Sequence, residues 1–288
     1  MMLEILDWHL EMVYSNEDNI LCPSPISVND DFYVFFGRQD KGSKKANLSC
    51  IKIDERLNQT DFEIRFESDN EHSSSNGNLP NSIHSLPGMG IVLVCAEFTD
   101  SVKHKHLLIA HLHKLVFFDS YCTIGERIDL DFIDYGSDEF HTIAGLSYFE
   151  GSYYFAKGKE WNTATSQSIP ITEIYRYNTS QKSEVKLKMA LLPNDVALAR
   201  PLWMVWNYSN LLVVSARTLH GYSSRVFSTI DNVYSRVFQN FYSGTIKTSE
   251  DLLTYQYPFN WKNHLWCLAT LDFRGTKGFH LYRLQEEK

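Results

Sequence analysis

The chain has 288 residues, of which 43% are hydrophobic and 14% aromatic, and its 27 basic and 35 acidic side chains give a formal charge of −8. The hydrophobic share excludes a disordered chain, and the aromatic share favours pleated β-sheet over a helix bundle. The negative charge argues against a nucleic-acid partner held by a basic face, and the longest apolar run, residues 90–98, is too short to span a membrane.

The N-terminus, the cysteines and the histidines bear on the compartment and on metal binding. Residues 1–7 lack the basic stretch of a signal peptide, and the five cysteines are scattered without a Cys-x-x-Cys pair, so we expect a cytoplasmic protein. His104 and His106, like His111 and His113, are spaced to share one face of a strand. A metal site needs a third ligand that this spacing does not supply, so we expect neither a metal nor a cofactor.

Five segments of the chain repeat one pattern: a short apolar strand, a tight turn, a second aromatic or apolar strand, a polar loop and a third strand. The repeat is even, since 57 residues separate Pro23 from Pro80 and Pro201 from Pro258. The predicted strands of the five segments are 20–28, 31–37 and 48–53; 79–84, 90–96 and 106–111; 141–148, 153–156 and 173–177; 199–206, 211–217 and 224–228; and 254–259, 265–270 and 278–284.

A fourth, more polar strand is predicted after each of the first three segments, at residues 62–66, 128–132 and 185–189. Its alternation of polar and apolar side chains is typical of an edge strand with one face in water. Four antiparallel strands repeated five times predict an all-β fold, a single five-bladed β-propeller domain over residues 1–288. The polar segment 67–78 is predicted to be a solvated loop between two blades.

The N-terminal segment is predicted to close the ring of blades. Residues 3–10 alternate weakly, and we interpret them as the outer strand of the last blade, which would leave no open sheet edge between the first and last blades. A short amphipathic helix is the alternative, because Leu3, Leu6, Leu10 and Met12 also fit a helical spacing. Both interpretations stay open at the level of sequence.

Several short motifs lie at defined places in the predicted blades. They are Gly37-Arg38-Gln39-Asp40-Lys41, Gly158-Lys159-Glu160-Trp161, Ala199-Arg200-Pro201, Ser215-Ala216-Arg217, Tyr257-Pro258 and Gly275-Thr276-Lys277-Gly278. Together they resemble the five-bladed propellers of the glycoside hydrolase superfamily that includes families 43, 32, 68 and 130. The resemblance is closest to family-43-like proteins of bacterial polysaccharide gene clusters, and it implies a sugar-binding pocket at the centre of the ring.

The chain departs from the family pattern at two places. Gln39 separates Arg38 from Asp40, where the family has an adjacent Arg-Asp pair, and residues 73–77 contain no carboxylate where the family places one before blade two. A glycosidase needs two carboxyl groups that face the scissile bond. The departures therefore leave open whether the pocket hydrolyses a sugar or only binds one.

The candidate site residues lie near the ends of predicted inner strands. The candidate catalytic acids are Asp40, Glu160 and Asp251, and for each the alternative is a solvated turn or loop charge. Arg200 interrupts an apolar run, where a buried guanidinium requires an anionic or carbonyl partner. The candidate substrate-binding residues are Arg38, Arg200, Arg217, Trp161 and Tyr257.

These residues predict a carbohydrate-active propeller that acts on a sugar, a glycosyl conjugate or a sugar nucleotide by general acid–base chemistry in glycan or polysaccharide metabolism. Converging arginines favour an anionic ligand. The first alternative is a carbohydrate-binding propeller with a degenerate active site, which the missing blade-two acid favours. The second is a protein-interaction scaffold, since this fold hosts all three functions.

Overall fold

The computed structural model describes residues 8–41, 46–67, 79–99, 107–128, 130, 140–159, 172–186, 198–206, 209–218, 221–228, 254–270 and 276–284. All regular secondary structure within these ranges is β-strand, so the predicted all-β class is confirmed. In this part of the chain there is no helix with the length and hydropathy needed to cross a membrane.

Nineteen strands form four hydrogen-bonded sheets in the described residues. In chain order they are β1 Trp8–Val28, β2 Asp31–Gln39, β3 Asn47–Ile53, β4 Gln59–Asp61, β5 Glu63–Phe66, β6 Leu79–Leu86, β7 Gly90–Thr99, β8 Leu107–Phe117, β9 Tyr121–Ile128, β10 Phe140–Phe149, β11 Ser152–Lys159, β12 Thr172–Asn178, β13 Ser183–Lys186, β14 Leu198–Trp206, β15 Ser209–Thr218, β16 Gly221–Ser228, β17 Thr254–Trp261, β18 His264–Thr270 and β19 Thr276–Leu284.

The long strand β1 joins the beginning of the chain to its end. Residues 8–15 pair antiparallel with β19, and residues 19–28 pair antiparallel with β2, which gives a seven-stranded sheet of order β17-β18-β19-β1-β2-β3-β4. The expected pairing of the N-terminal segment with the last strands is confirmed for residues 8–10 and extends to Ser15. The helical alternative is wrong for Leu10 and Met12, which lie in β1, and residues 3–7 lie outside the described residues.

The other sheets follow the predicted three-strand pattern, with orders β5-β9-β8-β7-β6, β10-β11-β12-β13 and β14-β15-β16. The tight turn predicted between the first two strands of the third segment is formed by Glu150-Gly151, which join β10 to β11 with φ angles of 43° and 73°. Lys262-Asn263 joins β17 to β18 with φ angles of 48° and 61°. Positive φ at both central residues is the conformation of two-residue hairpin turns that match the twist of the strands.

A strand is present within the predicted residues 62–66, but its predicted pairing partner is wrong. The fourth strand of the first sheet is β4, whereas β5 crosses to the next sheet and pairs in parallel with β9. The change occurs at Phe62, which is buried and whose N–H donates to the Cys50 carbonyl at 2.9 Å. Burial of this ring between the two sheets turns the chain from one sheet to the other, so the pairing is not antiparallel throughout.

The other two predicted fourth strands are shifted along the chain. The outer strand β9 ends at Ile128, where the prediction had it begin, and β13 covers only the first residues of the predicted 185–189. Residues 129, 131–132 and 187–189 lie outside the described residues. An alternating pattern identifies a strand with one wet face, but it does not give the end of that strand.

Apolar cores lie between the two halves of the seven-stranded sheet and between neighbouring sheets. One core lies between β17–β19 and β1–β3 and includes Phe32, Phe36 and Phe279; a second lies between β1–β3 and the sheet of β6–β9 and includes Phe35. A third lies between that sheet and β10–β12 and includes Phe155. The first strands of successive sheets contact each other, β1 beside β6, β6 beside β10, β10 beside β14, and β17 beside β1. The sheets therefore pack face to face around their first strands.

Candidate functional site

A bulge in β1 marks the place where its partner changes. Ser15 is opposite Gly278 and Ile20 is opposite Thr276, so four intervening residues of β1 face a single intervening residue of β19. Extra residues in one strand interrupt the ladder and re-aim side chains, which is why bulges are common beside functional sites. Residues 16–19 therefore project at the junction between the last strand and the first sheet.

Asp18 in this bulge forms an ion pair with the predicted binding residue Arg38. The Arg38 Nε–H donates to Asp18 Oδ2 at 2.7 Å, and the two side chains are 47% and 19% exposed. The Asp18 backbone N–H donates to Asn16 Oδ1 at 3.1 Å, and the Asn16 amide donates to the Tyr14 hydroxyl at 3.1 Å. Backbone and side chain of Asp18 are thus both held by neighbouring groups.

The charge of Arg38 is fixed by its surroundings. The hydrogen bond from Arg38 to Asp18 is the main cause that raises the pKa of the guanidinium above its ordinary value, and the negative charges of Asp18 and Asp40 act in the same direction. Arg38 is therefore a permanent cation with two carboxylates around it. Its positive charge is offset locally, a feature that the sequence does not reveal.

The candidate acid Asp40 lies on the same side of the sheet as this ion pair. The last paired residues of β1 and β2 are Asn19 with Gln39, and Ile20 pairs with Arg38. Asp40 directly follows β2, two residues after Arg38, and is exposed to solvent. Its negative charge acts on the Arg38 guanidinium together with that of Asp18. Asp18 and Asp40 are therefore both close to one guanidinium.

Sequence reasoning missed Asp18 because it precedes the first predicted strand. The segment Ser15-Asn16-Glu17-Asp18 has the composition of a solvated turn, and the chain separation between Asp18 and Arg38 is 20 residues. A carboxylate just before an inner strand, with an arginine at the end of the next strand, was the available signal. Only the pairing of β1 with β2 turns that signal into a contact.

Packed aromatic rings lie beneath the Asp18–Arg38 ion pair. The Tyr14 ring stacks on Phe279 with centroids 4.9 Å apart and is tilted against Phe36 at 5.9 Å. Ile20, which shares a face with Arg38, is buried in the same core. The charged groups therefore sit at the edge of a rigid apolar layer, where side chains lose little further freedom on binding a ligand.

The predicted arginines of the fourth segment are placed by their strands. Arg200 in β14 is opposite Ser215, and Leu198 is opposite Arg217 at the end of β15. This register puts Arg200 and Arg217 two positions apart on one face of the sheet. Arg217 is opposite Leu198, the first residue of β14, whereas Arg38 is opposite Ile20 within β1, near the point where β1 begins to pair with β2.

The remaining predicted site residues are less fully placed. Tyr257 lies in β17 opposite Leu268. The candidate acids Glu160 and Asp251, and the predicted stacking residue Trp161, lie outside the described residues. The structure thus brings Arg38 and Asp40 together with Asp18, and it places the backbones of Arg200, Arg217 and Tyr257.

A concave surface lies at the opposite end of β2 from Arg38. This cavity of about 370 Å³ is lined by Asp30, Asp31, Asp54, Glu55, Arg56, Asn58 and Lys262. Several of its charges are paired, with Lys262 Nζ 2.6 Å from a Glu55 carboxylate oxygen and Asp54 accepting hydrogen bonds from its own loop. Among the residues described here, no group of three His, Cys, Asp or Glu side chains could hold a metal ion. We assign this cavity no ligand.

Solved structures of glycoside hydrolases align with nearly the whole chain. A thermostable family-43 glycoside hydrolase is 12% identical over 95% of this chain and 93% of its own, with a TM-score of 0.58. Zg3597, a family 117 glycoside hydrolase of the marine bacterium Zobellia galactanivorans, is 11% identical over 97% and 90%, with a TM-score of 0.58. A third glycoside hydrolase is 10% identical over 97% and 91%, with a TM-score of 0.60.

The chain has the fold of the propeller glycoside hydrolases. The resemblance predicted from the motifs is therefore confirmed at the level of the fold. No protein-family model and no curated protein matches the chain. At 10–12% identity to these structures the chemistry has to be argued from the residues of this chain, because one fold supports many functions.

Proposed function

We propose that the protein is a carbohydrate-active propeller that acts on a sugar, a glycosyl conjugate or a sugar nucleotide at the bulge of β1. The observation that carries this proposal is the cluster of two carboxylates, Asp18 and Asp40, around Arg38. The position of the cluster, where β1 leaves β19 and begins to pair with β2, supports the proposal, because polar groups at the ends of inner strands converge in a ring of blades. The glycoside hydrolase fold is the second support.

The ring in this proposal has five blades in one domain over residues 1–288. Residues 8–15 of β1 complete a last blade with β17–β19, and residues 19–28 begin a first blade with β2–β4. The contacts of first strands from β1 through β6 and β10 to β14, and from β17 back to β1, support this count. The sheets of β6–β9, β10–β13 and β14–β16 supply the other three blades.

Asp18 and Asp40 have different surroundings and so take different roles in the proposed chemistry. Asp40 is exposed and can exchange a proton with a bound ligand, whereas Asp18 is fixed by Arg38 and by the backbone hydrogen bond to Asn16. Glycosidases work with carboxyl groups about 5–10 Å apart, as acid and nucleophile or as acid and base. Glu160 and Asp251 remain candidates for a carboxylate from another blade.

The proposed ligand is anionic, and its recognition depends on the fourth blade. Arg38 is offset by Asp18, so it offers little net charge to a ligand. Arg200 and Arg217, on one face of their sheet, form the pair that would bind carboxylate or phosphate oxygens. Trp161 and Tyr257 would supply flat surfaces for the apolar face of a sugar ring.

A non-catalytic carbohydrate-binding propeller is the second candidate. The absence of a carboxylate from the sequence 73–77 favours it. A protein-interaction scaffold is the third. The carbohydrate-active version of the proposal places the protein in the cytoplasm and in glycan or polysaccharide metabolism.

Turnover and binding measured together separate the candidates. The protein is incubated with matched neutral oligosaccharides, acidic oligosaccharides and sugar nucleotides, products are identified by mass spectrometry, and affinity is measured by calorimetry. Turnover that is lost in both Asp18→Asn and Asp40→Asn, and kept in the exposed control Asp61→Asn, supports the enzyme. Binding without turnover identifies the binding module, and binding of none of the three classes overturns the carbohydrate proposal.

A further inference from the structure

The bulge of β1 contains a side chain, that of Asn16, which holds the backbone of Asp18. The Asp18 N–H donates to Asn16 Oδ1 at 3.1 Å, which closes a turn in which an asparagine oxygen takes the place of a backbone carbonyl. The regular pairing of β1 has stopped here, since Asp18 lies in neither the register with β19 nor the register with β2. The backbone of Asp18 is therefore set by Asn16 and not by a ladder.

The amide of Asn16 has one orientation that satisfies both of its neighbours. Its Oδ1 accepts from the Asp18 N–H, so the other end of the amide, Nδ2, faces the Tyr14 hydroxyl and donates to it at 3.1 Å. A flipped amide would place its NH₂ group against the Asp18 N–H, and two donors would then face each other. The Tyr14 hydroxyl is thus the acceptor that fixes Asn16.

The core fixes Tyr14 in turn. Its ring stacks on Phe279 with centroids 4.9 Å apart and lies 5.9 Å from Phe36. The residue is 9% exposed and belongs to the apolar core on this side of the sheet. Asn16 therefore connects a side chain that the core immobilises to the backbone of Asp18.

This connection determines what Asp18 offers to a ligand. The Arg38 Nε–H donates to Asp18 Oδ2 at 2.7 Å, and the Asp18 side chain is 19% exposed. Among the residues that the structure describes, none donates a hydrogen bond to the second oxygen, Oδ1. Since the backbone is held by Asn16 and one oxygen by Arg38, the direction of Oδ1 is fixed as well. That oxygen remains for a hydrogen bond with a ligand.

The other contacts beside Asp18 are weaker restraints. The Asn19 amide lies 3.5 Å from Gln39 Oε1, which is longer than a well-formed hydrogen bond. Arg38 is 47% exposed, and an exposed ion pair alone holds its side chains poorly, because solvent screens the charges and side-chain entropy opposes one fixed geometry. The orientation of the ion pair therefore depends on the side chain of Asn16.

We infer that Asn16 is the positioning residue of the Asp18–Arg38 pair: its side chain sets the direction of the Asp18 carboxylate and acts on a ligand through it. The effect on turnover rests on the proposed function at Asp18, whereas the effect on the position of Asp18 does not. Displacement of a reacting group by about 1 Å can lower turnover about 100-fold, so a residue without its own ligand contact can still be required for activity.

The test follows the Arg38 Nε–H in ¹⁵N–¹H NMR spectra, where the Nε signals of arginines are separate from those of backbone amides. The Arg38 signal is identified by its absence from the spectrum of Arg38→Lys. In Asn16→Ala we expect this proton to exchange with water about tenfold faster, because a freed Asp18 no longer keeps the charge-assisted hydrogen bond.

Two variants serve as matched comparisons. Asn16→Asp keeps an oxygen for the Asp18 N–H, and its second oxygen can accept from the tyrosine hydroxyl, so exchange should stay slow. Asn178→Ala also removes an asparagine oxygen that accepts from a backbone N–H, that of Gln181 at 2.8 Å. It lies on another sheet, so the Arg38 proton should exchange as in the wild type.

Tyr14→Phe tests the connection to the core. It keeps both ring contacts and removes only the acceptor that fixes Asn16, so exchange of the Arg38 proton should rise, though less than in Asn16→Ala. If Asn16→Ala does not fold, this variant carries the test. For a sugar that the wild type processes, kcat should fall about tenfold in Asn16→Ala with little change in KM, and Asn16→Asp should recover part of kcat.

The outcomes separate this inference from the proposed function. Equally slow exchange of the Arg38 proton in the wild type, Asn16→Ala and Tyr14→Phe overturns the role of Asn16, and so does equal acceleration in Asn178→Ala. Faster exchange in Asn16→Ala without any change in turnover overturns the proposed site at Asp18. A wild type that processes and binds no sugar overturns the proposed function, while the exchange rates still decide the role of Asn16.

Discussion

The backbone carbonyl of Tyr14 lies against Gly278 in the space that a Cβ atom at residue 278 would fill. At this point of the β1–β19 ladder Ser15 is opposite Gly278. The bulge that carries Asp18 follows directly. Gly278 belongs to the predicted Gly-x-x-Gly motif, and its role is steric, because its φ angle is not in the left-handed region.

Gly278→Ala should separate β1 from β19 and lower the free energy of unfolding by about 1–3 kcal/mol, the usual effect of forcing extra atoms into a packed position. The melting temperature by calorimetry measures the loss. Gly125→Ala is the control, because its Cβ would meet the movable Glu67 carboxylate at 3.3 Å and a backbone atom only at 3.5 Å. Equal stability of the two variants would show that the strands can shift to admit the methyl group.

Arg38→Gln should impair function far more than stability. The Arg38–Asp18 pair is half exposed at the arginine, and exposed pairs contribute less than about 1 kcal/mol to the free energy of unfolding. Loss of Asp18 positioning should lower turnover of the substrate found for the wild type by about 100-fold. Lys262→Gln, which breaks the ion pair with Glu55 at the other end of the sheet, should leave turnover unchanged. A parallel loss of both properties in Arg38→Gln would make the pair structural.

His84 connects two sheets through a buried hydrogen bond. Its Nε2 accepts from the Leu146 N–H at 2.9 Å, and His84 is 5% exposed. The register of β10 against β11 shifts just before Leu146. The Leu146 N–H therefore donates to the histidine and not to a carbonyl of β11. His84→Leu should therefore cost about 1–3 kcal/mol, since a buried donor loses its acceptor. His84→Gln, whose amide oxygen can accept, should recover part of the loss in urea unfolding.

The thiols of Cys50 and Cys122 make stability fall at alkaline pH. Burial raises the pKa of Cys122 to about 12 and that of Cys50 well above its ordinary value. The folded state then keeps protons that the unfolded state releases above about pH 9, so each thiol lowers the free energy of unfolding by about 1.4 kcal/mol per pH unit, from its unfolded pKa until it ionises in the folded state.

Urea midpoints between pH 9 and pH 12 measure this slope. Cys122→Ala should reduce the slope. Near neutral pH, where the thiol keeps its proton in both states, the free energies of unfolding of the two proteins should differ only by a constant amount. Both thiols should also resist alkylation in the folded protein, because the thiolate is the reactive form. Rapid alkylation of the native protein at neutral pH would contradict the burial of these groups.

The positions of the strands could be predicted from the sequence better than the partners with which they pair. The apolar runs and the turn at Glu150-Gly151 identify the three-strand pattern, because side-chain period and turn chemistry are local properties. The alternation of residues 62–66 also marks a strand, yet which sheet edge receives it depends on where Phe62 is buried. That burial is decided by packing between sheets, which no local pattern contains.

The candidate site was predictable to a similar extent. Arg38 and Asp40 stand at the end of a predicted strand, and that position was sufficient to select them. Asp18 was not selected, because its approach to Arg38 requires the pairing of β1 with β2 and the bulge at 16–19. A contact that depends on register is invisible until both strands are aligned.

The shared strand β1 also has a consequence for how the molecule folds. Trp8 pairs with Leu284 and Ser15 with Gly278, so residues 8–15 find their partners only after residues 278–284 have been synthesised. Contacts of such sequence separation form slowly, since loop closure precedes their stabilisation. The bulge that presents Asp18 is defined by pairing with β19 on one side and with β2 on the other. A chain that ends before β19 therefore contains the residues of the site without the bulge that presents Asp18.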